Sequence, residues 1–138
     1  MDKKALLAKA VDYHGHIGVF LAVGLRMGLL VRETLGGDGF NTQALVKTDL
    51  KPPRSCLIDG VQVATGCTLG KMNIKVEESS ELVGVFTVDD QKVEIEVKQS
   101  FLEEMKAKMA GKDRHHLDDV TEEVMNKDAA EIFELRKL

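Results

Sequence analysis

From Ile17 to Leu35 apolar side chains recur so densely that, wound as a helix, they nearly encircle it. A helix with one wet side does not look like this, so the segment has to be central, with other elements packed around it. Arg26 and several small or polar residues interrupt the run, which is also too short to cross a bilayer. The expectation is therefore a buried helix of a soluble domain with no membrane partner. Gly24 and Gly28 lie four residues apart on one face. Without a Cβ at those points, another backbone is expected to pack close. Gly36-Gly37-Asp38-Gly39 ends the helix.

The remaining elements follow from periodicity and punctuation. Residues 2–12 read as a helix covering the core, with Leu6, Leu7, Ala10 and Val11 at helical spacing. Ala44 to Lys47 reads as a strand, and Lys51-Pro52-Pro53 as a loop. Ser55 is a candidate N-cap for a helix through Thr65, with Gly66 as its stop. Met72–Val76, Leu82–Val88 and Lys92–Lys98 read as strands, the last two forming a hairpin at Asp89-Asp90-Gln91. Phe101 to Ala110 reads as a helix stopped by Gly111, and Asp113 to His116 as a polar linker. Asp118 to Leu138 reads as one or two amphipathic helices with Val120, Val124, Ile132 and Leu135 inward. The order predicts a single α+β domain over residues 1–138, with a small, mostly antiparallel sheet packed with helices.

Composition narrows the function classes. A chain of 138 residues, 43% hydrophobic and 30% charged, can build a core and is not disordered. A net charge of −4 argues against nucleic acid as a partner. Two cysteines do not make a disulfide framework, and no export signal precedes them. The expectation is a cytoplasmic protein with reduced thiols.

The chemistry-bearing residues sit in Tyr13–Gly18 and Ser55–Lys75, which are expected to meet at one polar site. His14 and His16 flank Gly15. In an extended segment both imidazoles face one ligand; otherwise one is a buried, hydrogen-bonded histidine and the other exposed. Cys56 falls in the first turn of its predicted helix. There the dipole favours a thiolate, a metal ligand or nucleophile; the alternative is a small buried hydrophobe. The same alternatives hold for Cys67. Eleven residues of helix would set the two cysteine Cα atoms roughly 15 Å apart, too far to share one metal or one disulfide. No CxxC pair exists, which excludes a zinc ribbon. Thr65-Gly66-Cys67-Thr68-Leu69-Gly70-Lys71 lacks the spacing of a nucleotide-binding phosphate loop. A backbone nest with Lys71 can still hold a small anion. Asp59, three residues after Cys56, complements the helix dipole, orients a histidine or ligates metal. His115 and His116 read as solvated residues.

With these residues in view, the chain resembles the FmdE family, named for a component of formylmethanofuran dehydrogenase. That family carries patterns like FHGHxCPGLAxGxRxG and CxxDAIQxxTGCTxGKGN; the matching stretches here are YHGHIGVFLAVGLRMG and CLIDGVQVATGCTLGKMN. The resemblance covers about residues 10–100. It implies an α+β core, a homodimer and a divalent metal, zinc, near the His and Cys residues. Carried over, it implies His14, His16, Cys56 and Cys67 as metal ligands. Cys56, Lys71 and Asp59 would be catalytic, and Gly66, Gly70 and Asn73 would form a binding turn. Lys71 and the Cys67 turn would hold an anionic or carbonyl group of a one-carbon or pterin-like substrate. Two departures stand out: Gly18 occupies the position of the cysteine in HGHxC, and the family's frequent C-terminal zinc ribbon is absent. The resemblance implies either a metal- or thiol-dependent enzyme of one-carbon metabolism or a non-catalytic accessory component of a larger complex.

Overall fold

A computed structural model describes residues 2–111 and 114–138, the side chains of residues 114 and 115 aside. Helix α1 (Lys3–His14) is followed by α2 (Val19–Leu35), β1 (Thr42–Thr48) and a 3-10 turn at Arg54–Cys56. That turn runs directly into α3 (Leu57–Thr65). Strands β2 (Ile74–Glu78), β3 (Val83–Val88) and β4 (Gln91–Val97) come next, then α4 (Gln99–Met109), α5 (Arg114–Asn126), α6 (Ala129–Ile132) and β5 (Phe133–Lys137).

The five strands form one sheet in the order β2-β1-β3-β4-β5. Three of its pairings are antiparallel and β1–β2 is parallel. A parallel neighbour needs a crossover, and α3 supplies it. The mostly antiparallel α+β sheet expected from sequence is thus present, with one β-α-β unit inside it. Along β1 and β4 alternate residues are buried: Ala44 and Val46, then Val93, Ile95 and Val97. The sheet is therefore dry on one face. Helix α2 lies against that face, with Met27 Sδ close over Gly84 of β3.

Helix α2 is the centre, as its all-round apolar sequence demands. Eleven of its 17 residues are buried. Its glycine face receives α3: an ideal Cβ on Gly24 would lie 2.0 Å from the Leu57 carbonyl oxygen, and one on Gly28 would lie 2.5 Å from Ala64 Cβ. The backbone approach expected from the spacing of Gly24 and Gly28 is the α2–α3 contact. Arg26, on another side, donates from Nη1 to the Val124 carbonyl at 2.7 Å and ties α5 to α2.

Three local expectations need correction. Ser55 does not cap α3, because the chain is already turning in the 3-10 segment and no side chain caps either helical start. The linker expected at 113–116 is instead the start of α5 from Arg114 onward; Asp113 lies outside the described residues. The C-terminal residues are not helical to the end. Phe133 pairs with Val97 and Leu135 with Ile95, while Arg136 meets Glu94, Glu96 and Glu134. Cross-strand contacts overrode the helix propensity of an Ala-, Glu- and Leu-rich stretch. Val120, Val124 and Ile132 are buried as expected.

Candidate functional site

His14 is the last residue of α1, and Gly15 ends that helix with φ 106°. The turn brings His16 back beside His14, the ring centroids 4.7 Å apart and tilted by 39°. The two imidazoles stand side by side, His14 nearly buried and bonded to Asp59 and His16 exposed, which is the alternative reading of the pair. A left-handed helix stop puts them there, rather than the extended segment expected from sequence.

The start of α3 faces them. Asp59 Oδ2 lies 2.5 Å from His14 Nδ1, and the His14 side chain is only 10% exposed. With Nδ1–H donating to the carboxylate, Nε2 is left with a lone pair. That nitrogen is buried and has no hydrogen-bond partner among the described residues. His14, His16, Gly18 and Cys56 together line a cavity of about 160 Å³, walled by Phe20, Leu21, Pro53, Met109 and Leu117. Asp59 therefore orients a histidine, one of the three roles its spacing allowed. Among the described residues, no three or more His, Cys, Asp and Glu side chains stand grouped as a ready-made metal cluster. The free donors on this cavity are the His14 Nε2 lone pair, the half-buried Cys56 thiol and the exposed His16 ring.

Cys56 corrects a second expectation. Burial, and then the charge of Asp59, hold its thiol above the ordinary range. The dipole of a helix start does not prevail here. In metal-free protein, alkylation of Cys56 by iodoacetamide should therefore rise with pH through an inflection above that of a free thiol, about 8.5. A plateau already reached at neutral pH would contradict this.

Cys67 is not on this cavity. It is fully buried, its sulfur donating to the Thr42 carbonyl of β1 at 3.5 Å and its N–H bonded to Thr65 Oγ1. It behaves as the small buried hydrophobe that was its alternative reading. Lys71 is elsewhere too, on a separate pocket with Lys9, Tyr13, Gln62, Gly66 and Thr68. Asn73 is a brace of the turn between α3 and β2. Its Oδ1 accepts from the Thr68 N–H at 2.9 Å, and its Nδ2 donates to the Gly39 carbonyl at 2.7 Å. Gly66 stops α3 at φ 78° and packs on Gly39; Gly70 sits exposed on the same turn. His116 Nε2 meets the Lys108 carbonyl at 3.0 Å, so it is not simply solvated. The side chain of His115 lies outside the described residues.

The apolar wall residues Pro53, Met109 and Leu117 were not legible as site residues. They come from three separate segments, and only the fold assembles them.

Comparison with known proteins bears on the family and the fold. Over 76 residues the chain is 42% identical to a probable S-adenosyl-L-methionine-binding protein of Archaeoglobus fulgidus. That match takes in 50% of this chain but only 19% of the relative. The fold matches a tungsten formylmethanofuran dehydrogenase FmdE-like protein from Syntrophus aciditrophicus with a TM-score of 0.70 at 20% identity. All of this chain and 72% of that one are covered. The family described as "FmdE, Molybdenum formylmethanofuran dehydrogenase operon" matches residues 13–134, which hold the histidine turn, the α3 helix and the whole sheet save its last three residues. On that match the chain belongs to the FmdE family.

Proposed function

We propose that this FmdE-family chain holds a divalent metal at His14 and Cys56, with His16 beside them. The mixed imidazole and thiol donors favour zinc. The observation that supports this most directly is the His14 ring, with Nδ1 held by Asp59 and Nε2 buried and unpartnered. An unpaired buried polar group costs about 1–3 kcal/mol, and a ligand on Nε2 removes that cost. A carboxylate on the far nitrogen of a ligating histidine fixes its tautomer and raises its basicity. A divalent ion bound there supplies a Lewis acid and an activated water.

The chain's own residues do the rest. Asp59 holds the His14 ring in place. Cys56 gives up its proton on ligation, so affinity rises with pH. Phe20, Leu21, Met109 and Leu117 keep the site dry on its apolar side. The family's description and the kind of protein its fold matches support a reaction of one-carbon, formylmethanofuran type. We further propose a cytoplasmic homodimer, able to join a larger enzyme complex.

Zinc dialysis of untagged protein followed by elemental analysis tests the metal. The expected result is one ion per chain, with Asp59→Asn binding about 10- to 100-fold more weakly. Trace metal only, or full affinity in Asp59→Asn, would defeat the proposal. A second reading, a non-catalytic accessory component with a vestigial site, is favoured by Gly18 and by the protonated Cys56. A stable larger assembly in native extracts, its activity unaffected by His14→Gln, would support that reading instead.

A further inference from the structure

The pocket that holds Lys71 gathers two lysines and two hydroxyl side chains. It measures about 300 Å³ and is lined by Lys9, Tyr13, Gln62, Val63, Gly66, Thr68 and Lys71. It shares no lining residue with the His14–Cys56 cavity. Among the described residues no acidic side chain lines it, although the chain as a whole carries a net charge of −4. Neither Lys9 nor Lys71 is in an ion pair among the described residues; the Lys71 ammonium lies 5.5 Å from the Phe40 ring centroid.

The neutral groups are poised in the same sense. Gln62 is 6% exposed and uses both ends of its amide. Its Nε2 donates to the Tyr13 hydroxyl at 3.3 Å, and its Oε1 accepts from the Leu69 N–H at 3.2 Å. Tyr13 Oη is thereby an acceptor toward Gln62, and its own proton is left to donate elsewhere. Thr68 Oγ1 accepts from the Lys71 N–H at 3.1 Å, which leaves its proton free in the same way. Two ammonium groups and two hydroxyl protons thus border one concave space with no carboxylate among its described lining residues.

We infer that Lys9, Tyr13, Thr68 and Lys71 form a second binding site, for the phosphate group of a small phosphorylated molecule. A lysine ammonium binds phosphate as a point charge, and the added hydroxyl protons suit an anion with several acceptor oxygens. The pocket is large enough for a phosphate and a small attached body. Lys71 then serves this site and not the metal cavity, and the site stands whether or not metal binds at His14.

The chain contains one tyrosine and no tryptophan, so its tyrosine emission reports Tyr13 alone. Metal-stripped protein is titrated with inorganic pyrophosphate at constant ionic strength, following that emission and the heat of binding. Saturable binding is expected, weakened about tenfold or more by Lys9→Gln and by Lys71→Gln. Both lysines are exposed, so the variants fold. His14→Gln is expected to bind pyrophosphate as wild type does. A linear response matched by sodium chloride overturns the inference. So does equal affinity in the two lysine variants and wild type, or a loss in His14→Gln as large as in Lys71→Gln. Failure here leaves the metal assay untouched, and failure there leaves this one.

Discussion

Gly60→Ala is expected to destabilise the protein by about 3 kcal/mol or more, the upper end for overpacking a core. A Cβ at that position would lie 2.2 Å from the Leu21 carbonyl oxygen and 2.6 Å from the Leu25 backbone nitrogen. Both are backbone atoms of α2, so no side-chain rotation can make room. Gly24 opposes it, and its own missing Cβ would meet Leu57 and Gly60. The two helices cross with backbone against backbone, and one methyl group has to push them apart. Alanine's better helix propensity returns at most about 1 kcal/mol. The midpoint of thermal unfolding should fall by roughly 10 °C. Gly18→Ala is the matched control: nothing lies within 4 Å of its Cβ position and its φ of −165° is ordinary extended backbone, so its midpoint should barely move. Equal midpoints for Gly60→Ala and Gly18→Ala would mean that the helices do not cross this closely. Any Gly60→Ala protein that does fold should also bind metal more weakly, because Asp59 is carried on the displaced helix.

Gly18→Cys should raise zinc affinity about a hundredfold, the share of one thiolate in a structural zinc site. Gly18 already lines the cavity beside His14, His16 and Cys56, and the added side chain meets nothing. It is also the N-cap of the 17-residue α2, which has no side-chain cap. The new thiol would therefore sit at the positive end of a long helix, where a thiolate is favoured. At Cys56, by contrast, burial and then the charge of Asp59 push the thiol up. Competition against a chelator under reducing conditions measures the gain, and alkylation rates measure the thiol. An affinity equal to wild type would show that the cavity does not gather ligands as proposed.

How much of the fold and the site is legible in the sequence depends on range. Helix α2 and its glycine face are readable because an all-round apolar run admits one placement, and because a glycine pair marks a close neighbour without naming it. Partner choice is not readable: nothing local in Gly60 announces that it answers Gly24. The HGH stretch points to paired imidazoles through the wrong geometry, since two residues flanking a glycine can converge by extension or by a left-handed stop. Residues 133–137 look helical because Phe133 and Leu135 alternate over too few positions to outweigh a helix-forming composition. Their strand exists because β4 presents an open edge. Cys67 and Lys71 group with the histidines through the family pattern and through their nearness in sequence to Cys56. Helix α3 instead carries them to its far end, one into the core and the other to a different pocket.

The bond from Arg26 to the Val124 carbonyl joins residues 98 apart in the chain. During synthesis the guanidinium leaves the ribosome long before its acceptor does. Until α5 is made, the central helix carries a charge that cannot be withdrawn from water at acceptable cost. The helical layer must therefore stay open while β1 to β4 are being added, and it seals only when α5, within the last fifth of the polypeptide, docks. A nascent chain stalled before that point should remain sensitive to protease across α2, however complete its sheet has become.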